Sequence, residues 1–459
     1  MSEEMIPTYK ELRGQWQNPA DILSLLLLIG GDIVQKALAQ MTGFSIRPFG
    51  HRGPRIALTP VAFSFGWVAF GFTSLMSAVG KQQLMPAVER PALVINCANS
   101  FSRDNQSWLL ERLLRDQEVK HEHENAGASL RIDIFELAPF ERDEEPNPMP
   151  DRIWWAGWLT IVTQAGIAVA PWVVYGDWGA AFILLSGTLL ALVTGAIPQW
   201  RQEKWAGARL NGHSVHALTR GNGHGYAMVF VGSPNSYNLE IMATSEAQRR
   251  PETPIIAAIL ATLWAGLLIC TSGLEENSWF IVGIGGLGML QNVYAAGASR
   301  SLEWTALKIK PFHRKRTIIA QRLDPKSDDK ADVDLQEAAE DVKVLEDWLR
   351  NGHNAGQMPR WLESMQAKDG TPEWLLPVPE TEVARVQGAL TELEKWIPTA
   401  GLALLKTFFP GNLDYDDSVV RDNVYKKFWR RAWHTKKTRR RAEHARKEVK
   451  VVVDIDYVY

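Results

Sequence analysis

The sequence predicts a mainly α fold: a polytopic helical membrane protein with about six transmembrane helices, a small cytosolic α+β module and a helical C-terminal tail. Three observations predict it. Five windows of 22 to 25 residues contain no Asp, Glu, Lys or Arg, although 22% of the chain is charged. Tryptophans gather at the ends of these windows, and an apolar ring with a polar N–H suits the headgroup level. Lys and Arg are absent from the tight links between paired windows and abundant on the opposite side.

Composition bounds the rest. The chain has 459 residues and a formal net charge of −2, which excludes a globally basic nucleic-acid binder. Its two cysteines, Cys97 and Cys270, exclude a disulfide framework and a cysteine-based metal site. The first apolar core, Ile22 to Gly31, follows a polar, mixed-charge stretch, so no secretory signal is expected. Glu3, Glu4 and Glu11 argue against a mitochondrial presequence.

In chain order, residues 1–20 read as a cytosolic N-terminal tail and 21–80 as transmembrane helices one and two. The first, Asp21 to Phe44, carries Asp32 and Lys36, four apart and able to pair on one helical face. A mid-helix charge costs about 2.5–3.5 kcal/mol, which the apolar residues roughly offset. The segment reads as a spanning helix with the pair facing other helices; a helix lying in the interface is the alternative. The second is Ile56 to Gly80, with Pro60 near its start, where a helix tolerates it.

Residues 81–152 read as the strand–helix–strand part of the module. Ala92 to Cys97 is an apolar strand, and Leu130 to Leu137 alternates well enough for another. Between them, Asp104 or Asn105 can cap a helix with Trp108, Leu109, Leu113 and Val119 on one face. Residues 153–200 form a transmembrane hairpin turning at Asp177. Residues 201–252 add a β-hairpin: Val215 to Thr219 and Tyr226 to Val231 flank Gly-Asn-Gly-His-Gly, Gly221 to Gly225. A phosphate-cradling loop is the weaker reading, because a strand and not a helix follows. Residues 253–299 form the last transmembrane hairpin, and 300–459 a cytosolic tail with a basic end.

The positive-inside rule orients the set. Nine Lys and Arg lie between Lys81 and Arg152, six between Arg201 and Arg250, and 29 beyond Ser299, so both termini are expected in the cytoplasm. The link Ser45 to Arg55, with three arginines, falls on the wrong side. The sequon at Asn105 would be cytosolic and unmodified.

The polar candidates within the windows are Asp32, Lys36, Gln164, Gln291 and Asn292. Asp32 is the candidate for a transport path, and the amides suit helix-to-helix hydrogen bonds. Two basic stretches suit anionic lipid head groups: Lys308, Lys310, Arg314, Lys315 and Arg316 after the last window, and Lys426, Lys427, Arg430 and Arg431 beside Phe428, Trp429 and Trp433. An acidic amphipathic helix is expected over Asp332 to Arg350, another helix from Glu382 to Pro398, and over Gly401 to Phe409 an apolar segment packed on the protein or on the membrane surface.

Gly283 to Gly288 matches a dinucleotide-binding pattern but lacks the preceding strand. Small residues permitting close packing explain it better. His121 and His123 point apart on a helix, and His213, His216 and His224 around the hairpin have no cysteine support for a metal site. No metal, cofactor or nucleic-acid partner is expected, and no catalytic motif is present.

Four stretches resemble a family of uncharacterised multi-pass integral membrane proteins of filamentous fungi. They are FGHRGPRIALTPVAFSFGWVAF from Phe49, IPQWRQEKWAGAR from Ile197, LTRGNGHGYAMVFVG from Leu218 and LTELEKWIPTAGLALLKTFFPGNL from Leu390. The resemblance implies a fungal source and a membrane location, and carries no site residue. The function expected is a membrane scaffold or sensor binding cytosolic protein partners, and not an enzyme. A transporter or channel with Asp32 in its pathway is one alternative and a membrane-lipid enzyme another.

Overall fold

The computed structural model describes residues 30–47, 55–80, 83–122, 127–142, 144–246, 250–274, 277–313, 315–321, 378–397 and 399–410. The chain runs through α1 (Gly31–Met41), a short antiparallel pair β1 (Ser45–Ile46) and β2 (Ile56–Ala57), and α2 (Trp67–Val79). Next come β3 (Leu93–Asn96), β4 (Phe101–Asp104), α3 (Trp108–Lys120) and β5 (Ala128–Leu137). Helices α4 (Arg152–Tyr175), α5 (Gly179–Gly195) and α6 (Pro198–Lys204) precede the hairpin β6 (Ser214–Thr219) and β7 (Tyr226–Gly232). The short α7 (Leu239–Met242), α8 (Glu252–Ser272), α9 (Ser278–Gly297), β8 (Ile309–Pro311) and β9 (Lys315–Gln321) follow. The described part closes with β10 (Val378–Ala384), α10 (Arg385–Trp396) and α11 (Ala400–Phe408).

The mainly α fold with six spanning helices is overturned. Among the described residues three helices, α4, α8 and α9, are long and apolar enough to cross a membrane. A fourth is counted if α5 and α6, bent by 44°, form one span. An eight-stranded mixed sheet stands beside them, in the order β10-β9-β5-β7-β6-β3-β4 with β8 also on β5.

Three expected spans account for the difference. Of Ile56 to Gly80, only Trp67–Val79 is helical, and 13 residues rise about 20 Å. Gly30, at φ 91°, breaks the segment expected over Asp21 to Phe44, so its described helix is the 11-residue α1; residues 21–29 lie outside the described set. In the window Trp178 to Trp200, Pro198 lacks the N–H that a continuing helix needs, so it opens α6 and the axis bends.

Helices α4, α5, α8 and α9 form a bundle. At one end α4 turns through Gly176 into α5, and Asn277 Nδ2 donates to Asp177 Oδ2 at 3.0 Å. At the other end the chain enters and leaves the sheet module. The hairpin β6–β7 forms as expected, antiparallel, with Gly221 and Gly223 at positive φ. The predicted strands also join one module, since β5 runs parallel to β7 and β3 pairs with β6.

The sheet is covered on both faces. Leu130, Ile132, Ile134, Val229 and Ile318 meet Leu390, Leu393 and Leu404 of α10 and α11. Of the two places open to the segment Gly401 to Phe409, it takes the protein surface. Opposite, Phe135, Leu137, Met228 and Phe230 join Trp108 and Leu109 of α3 and the base of the bundle in one continuous core. Val119, expected on the buried face of α3, is 46% exposed. The residues read as a tail from 300 onward contribute three strands and two covering helices to this module. The acidic helix expected over 332–350 lies outside the described residues.

Candidate functional site at the joint between bundle and module

Residues 58–66 form no helix, yet 59–66 are buried inside the bundle. The segment starts at the module end, where Trp154 Nε1 donates to Leu58 O at 3.3 Å and Thr59 Oγ1 to Gly195 O at 3.1 Å. It then runs inward along α9 to Phe65, whose ring fills the space where a Cβ on Gly285 would sit. Gly285 lies twelve residues before the end of α9, about 18 Å at 1.5 Å per residue. Gly66, at φ 90°, reverses the chain, and α2 carries it back. Leu84 N and Met85 N then donate to the Glu203 carboxylate at 2.8 and 2.7 Å, again at the module end. The element is re-entrant: non-helical going in, helical coming out.

Extended backbone inside a bundle leaves peptide groups unpaired, and here side-chain amides serve them. Gln164 Nε2 donates to Phe63 O at 2.7 Å and to Ile284 O at 2.8 Å. Ala62 N donates to Gln291 Oε1 at 3.2 Å. Asn292 Nδ2 donates to Ser64 Oγ at 2.6 Å, with Ala62 O at 3.4 Å. The three amides expected to join helices are thus gathered on one strand of non-helical chain. Close approach requires glycine here: a Cβ on Gly288 would collide with the Phe63 carbonyl, and one on Gly157 with the Pro60 carbonyl. Within Gly283 to Gly288 it is therefore Gly285 and Gly288 that serve close packing, while Gly283 faces open space.

Asp32 and Lys36 do not join this group. The Asp32 side chain is 70% exposed in the first turn of α1. Lys36 Nζ turns to Glu89 at 2.8 Å, with Asp32 at 3.9 Å. A hydrogen bond to Glu89 raises the Lys36 pKa, partly against burial.

The expected membrane-surface cluster also divides. Lys315 is buried in the module, its ammonium 5.3 Å from the Trp396 ring centroid. Lys308 pairs with Glu144 at 2.6 Å and lies over Phe140. Lys310 and Arg316 are exposed. Arg314, Lys426, Lys427, Arg430 and Arg431 lie outside the described residues.

The joint itself is built on charges the sequence does not mark. Lys204 Nζ donates to Ala39 O at 2.9 Å and Thr42 O at 2.6 Å, and lies 4.2 Å from the Trp304 ring centroid. The carbonyl end of α1 and an aromatic face suit an ammonium, while burial, then the charge of Arg300, pulls the Lys204 pKa well down. Arg300, just past α9, grips both carboxylate oxygens of Asp151 and donates from Nη1 to Gln40 O at 2.6 Å. Its backbone N–H donates to Asp116 Oδ2 on α3 at 2.9 Å. One residue therefore ties together α1, α3, α4 and α9. Burial would push the Asp151 carboxyl up, but the hydrogen bonds and charge of Arg300 outweigh it and hold it below the usual range. Burial raises Asp116, partly offset by Arg115 and Arg300. A cavity of about 270 Å³ opens beside the joint, between Met85, Trp108, Glu203, Lys204, Thr244 and Ser245.

Comparison with family models, curated proteins and solved structures finds no match to this chain. Function rests on geometry.

A second polar group lies inside the module. Asp133 on β5 accepts from Tyr226 Oη at 2.7 Å, Thr317 Oγ1 at 2.8 Å and Arg131 Nε at 3.1 Å. Burial, then the Asp133 charge, pushes the Tyr226 phenol well up. Burial lowers His216 to about 4, which keeps its ring neutral. Among the described residues no group of three or more His, Cys, Asp or Glu could hold a metal. Both cysteines are free. Asn105 of the sequon is buried, and its amide accepts from Ser107 N at 3.0 Å while Ser107 caps α3.

The sequence carries one signal for the re-entrant segment. Val61, Phe63 and Phe65 alternate with Ala62 and Ser64, a period-two pattern inside an apolar run. Nothing local marks Lys204 or Arg300, whose partners are 149 to 260 residues away.

Proposed function

We propose that the protein is a multi-pass membrane protein that holds its α+β module against the cytosolic face of a bilayer, as a scaffold or sensor for cytosolic partners. Support for the membrane part comes from the outer surface of the bundle. Leu159 and Val173 on α4, Leu185 on α5, Ile269 on α8 and Leu290 on α9 are all more than two-thirds exposed. An apolar belt of that extent suits lipid contact.

The observation that carries the scaffold reading is the continuous core from bundle to module, with Arg300 and Lys204 fastening it. A freely tethered module would need no such joint. The paired helices α4–α5 and α8–α9 would each cross and return, and the charge distribution favours the module in the cytosol. Transport through Asp32 has less support. That side chain lies apart from the amides, and the amides are engaged by the re-entrant backbone.

The test is fractionation followed by capture. The protein is expected to pellet with membranes, resist alkaline carbonate and need detergent for extraction. Removing residues 411–459 is expected to leave insertion intact and reduce capture of cytosolic partners. A chain that stays monodisperse without detergent would overturn the membrane reading. Unchanged capture would remove the tail's part in it.

A further inference from the structure

Ser45 to Arg55 is the link that breaks the charge rule in the sequence, and the fold removes the conflict. Because residues 58–84 leave and re-enter at the same end, β1 and β2 stand at the module end of the bundle. Ser45 N donates to Asn147 Oδ1 at 2.9 Å, just before α4. Arg201 reaches across from α6, donating to Ser45 Oγ at 3.0 Å and to Pro146 O at 2.8 Å. Arg55 and Arg201 share one carboxylate, Glu145, the latter at 3.3 Å. Arg47 adds a third positive charge to the same corner. Burial, then the charges of Arg201 and Arg47, lowers the Arg55 pKa, so the guanidinium groups feel one another.

The height of this corner is fixed by its neighbours. Phe44 meets the Trp154 ring edge-on at 5.1 Å, in the first turn of α4. Ile46, Ile56 and Trp155 are exposed beside the arginines. Apolar side chains and guanidinium groups at the foot of an apolar helix match the boundary between acyl chains and phosphates. Arginine's planar fork fits phosphate oxygens two at a time.

We infer that Arg47, Arg55 and Arg201 form a binding site for the phosphodiester of an anionic phospholipid on the module side of the bilayer. This rests on the membrane reading above. The exposed Arg47 and half-buried Arg55 would take the phosphate, with Arg201 held behind them by Ser45 and Pro146. Ile46 and Ile56 would dip toward the acyl chains.

Full-length protein is reconstituted in bilayers of equal parts phosphatidylcholine and phosphatidylserine, and retained lipid is read by native mass spectrometry. Enrichment of phosphatidylserine is expected. The R47Q/R55Q variant should lower that enrichment about thirtyfold, each surface cation contributing about fivefold. R47K/R55K keeps the charge and should retain most of it. K120Q, at the end of α3 on the module, should change nothing. Equal retention of the two lipids by the unmodified protein would overturn the inference. Loss of the enrichment on adding inorganic phosphate would assign the corner to free phosphate and overturn the lipid assignment. A protein that never enters the bilayer would instead refute the membrane reading.

Discussion

Glu111 shows how a single residue sets a pH dependence. It sits on α3 with a side chain only 2% exposed, and neither carboxylate oxygen has a hydrogen-bond partner. Arg112 Nε is 3.5 Å away. Burial pushes the carboxyl up to about 7; Arg115 and Arg90 lower it, while Glu89 and Asp116 add to the rise. Its ordinary value is 4.5, so between 4.5 and 7 the folded state keeps a proton that the unfolded state has released. Stability should therefore decline as pH rises through that window, by about 1–3 kcal/mol. Thermal unfolding in detergent from pH 5 to 8 should show the decline, and Glu111→Gln should flatten it. A parallel decline in the variant would place the effect elsewhere. The local pattern of α3 shows that Glu111 is helical. It does not show that the neighbouring chain closes over the acidic side chain.

At the scale of the element, the re-entrant segment depends on Gln164 and Gly288. Gln164 serves two carbonyls from different parts of the chain, Phe63 O and Ile284 O. Replacement by Leu keeps an apolar α4 but orphans the Phe63 carbonyl, at about 1–3 kcal/mol, while Ile284 O keeps its helical partner within α9. Gly288→Leu places atoms where the Phe63 carbonyl lies and should expel the segment. Both variants should insert normally yet unfold at lower temperature, with Gly288→Leu the more severe. Unfolding curves matching the unmodified protein would show that the segment is not held by this slot. Apolar windows were legible in the sequence because charge is costly in lipid. Whether such a window is helical depends on the acceptors and donors around it, and those come from α4 and α9.

For the whole molecule, the consequence is sidedness. The chain enters at Leu58 and is back at the same end by Leu84, so Arg47 and Arg55 lie with the module, and Asp177 and Asn277 mark the opposite end. In a Cys270→Ser background, Met149→Cys and Gly176→Cys are both exposed positions at opposite ends. An impermeant thiol reagent added to intact cells is expected to label Gly176→Cys alone. Labelling of Met149→Cys would invert the orientation, and labelling of both would deny a membrane between them. The same scale explains why the C-terminal third was misread. KIKPFHRKR has the composition of a lipid-facing stretch, but Lys315 is buried in the module beside Trp396, far along the chain.

By itself the sequence determined where the apolar windows begin and end, the turn at Asp177, the hairpin at Gly221–Gly225 and the strands at 93–96 and 130–137. These follow from local energetics: burial of charge, positive φ at glycine, and side-chain period. Tertiary structure alone decided that one window turns back on itself, that β9 and β10 complete the sheet, and that Arg300 and Lys204 lock module to bundle. Those outcomes depend on hydrogen-bond partners far apart in the chain, which no local pattern contains.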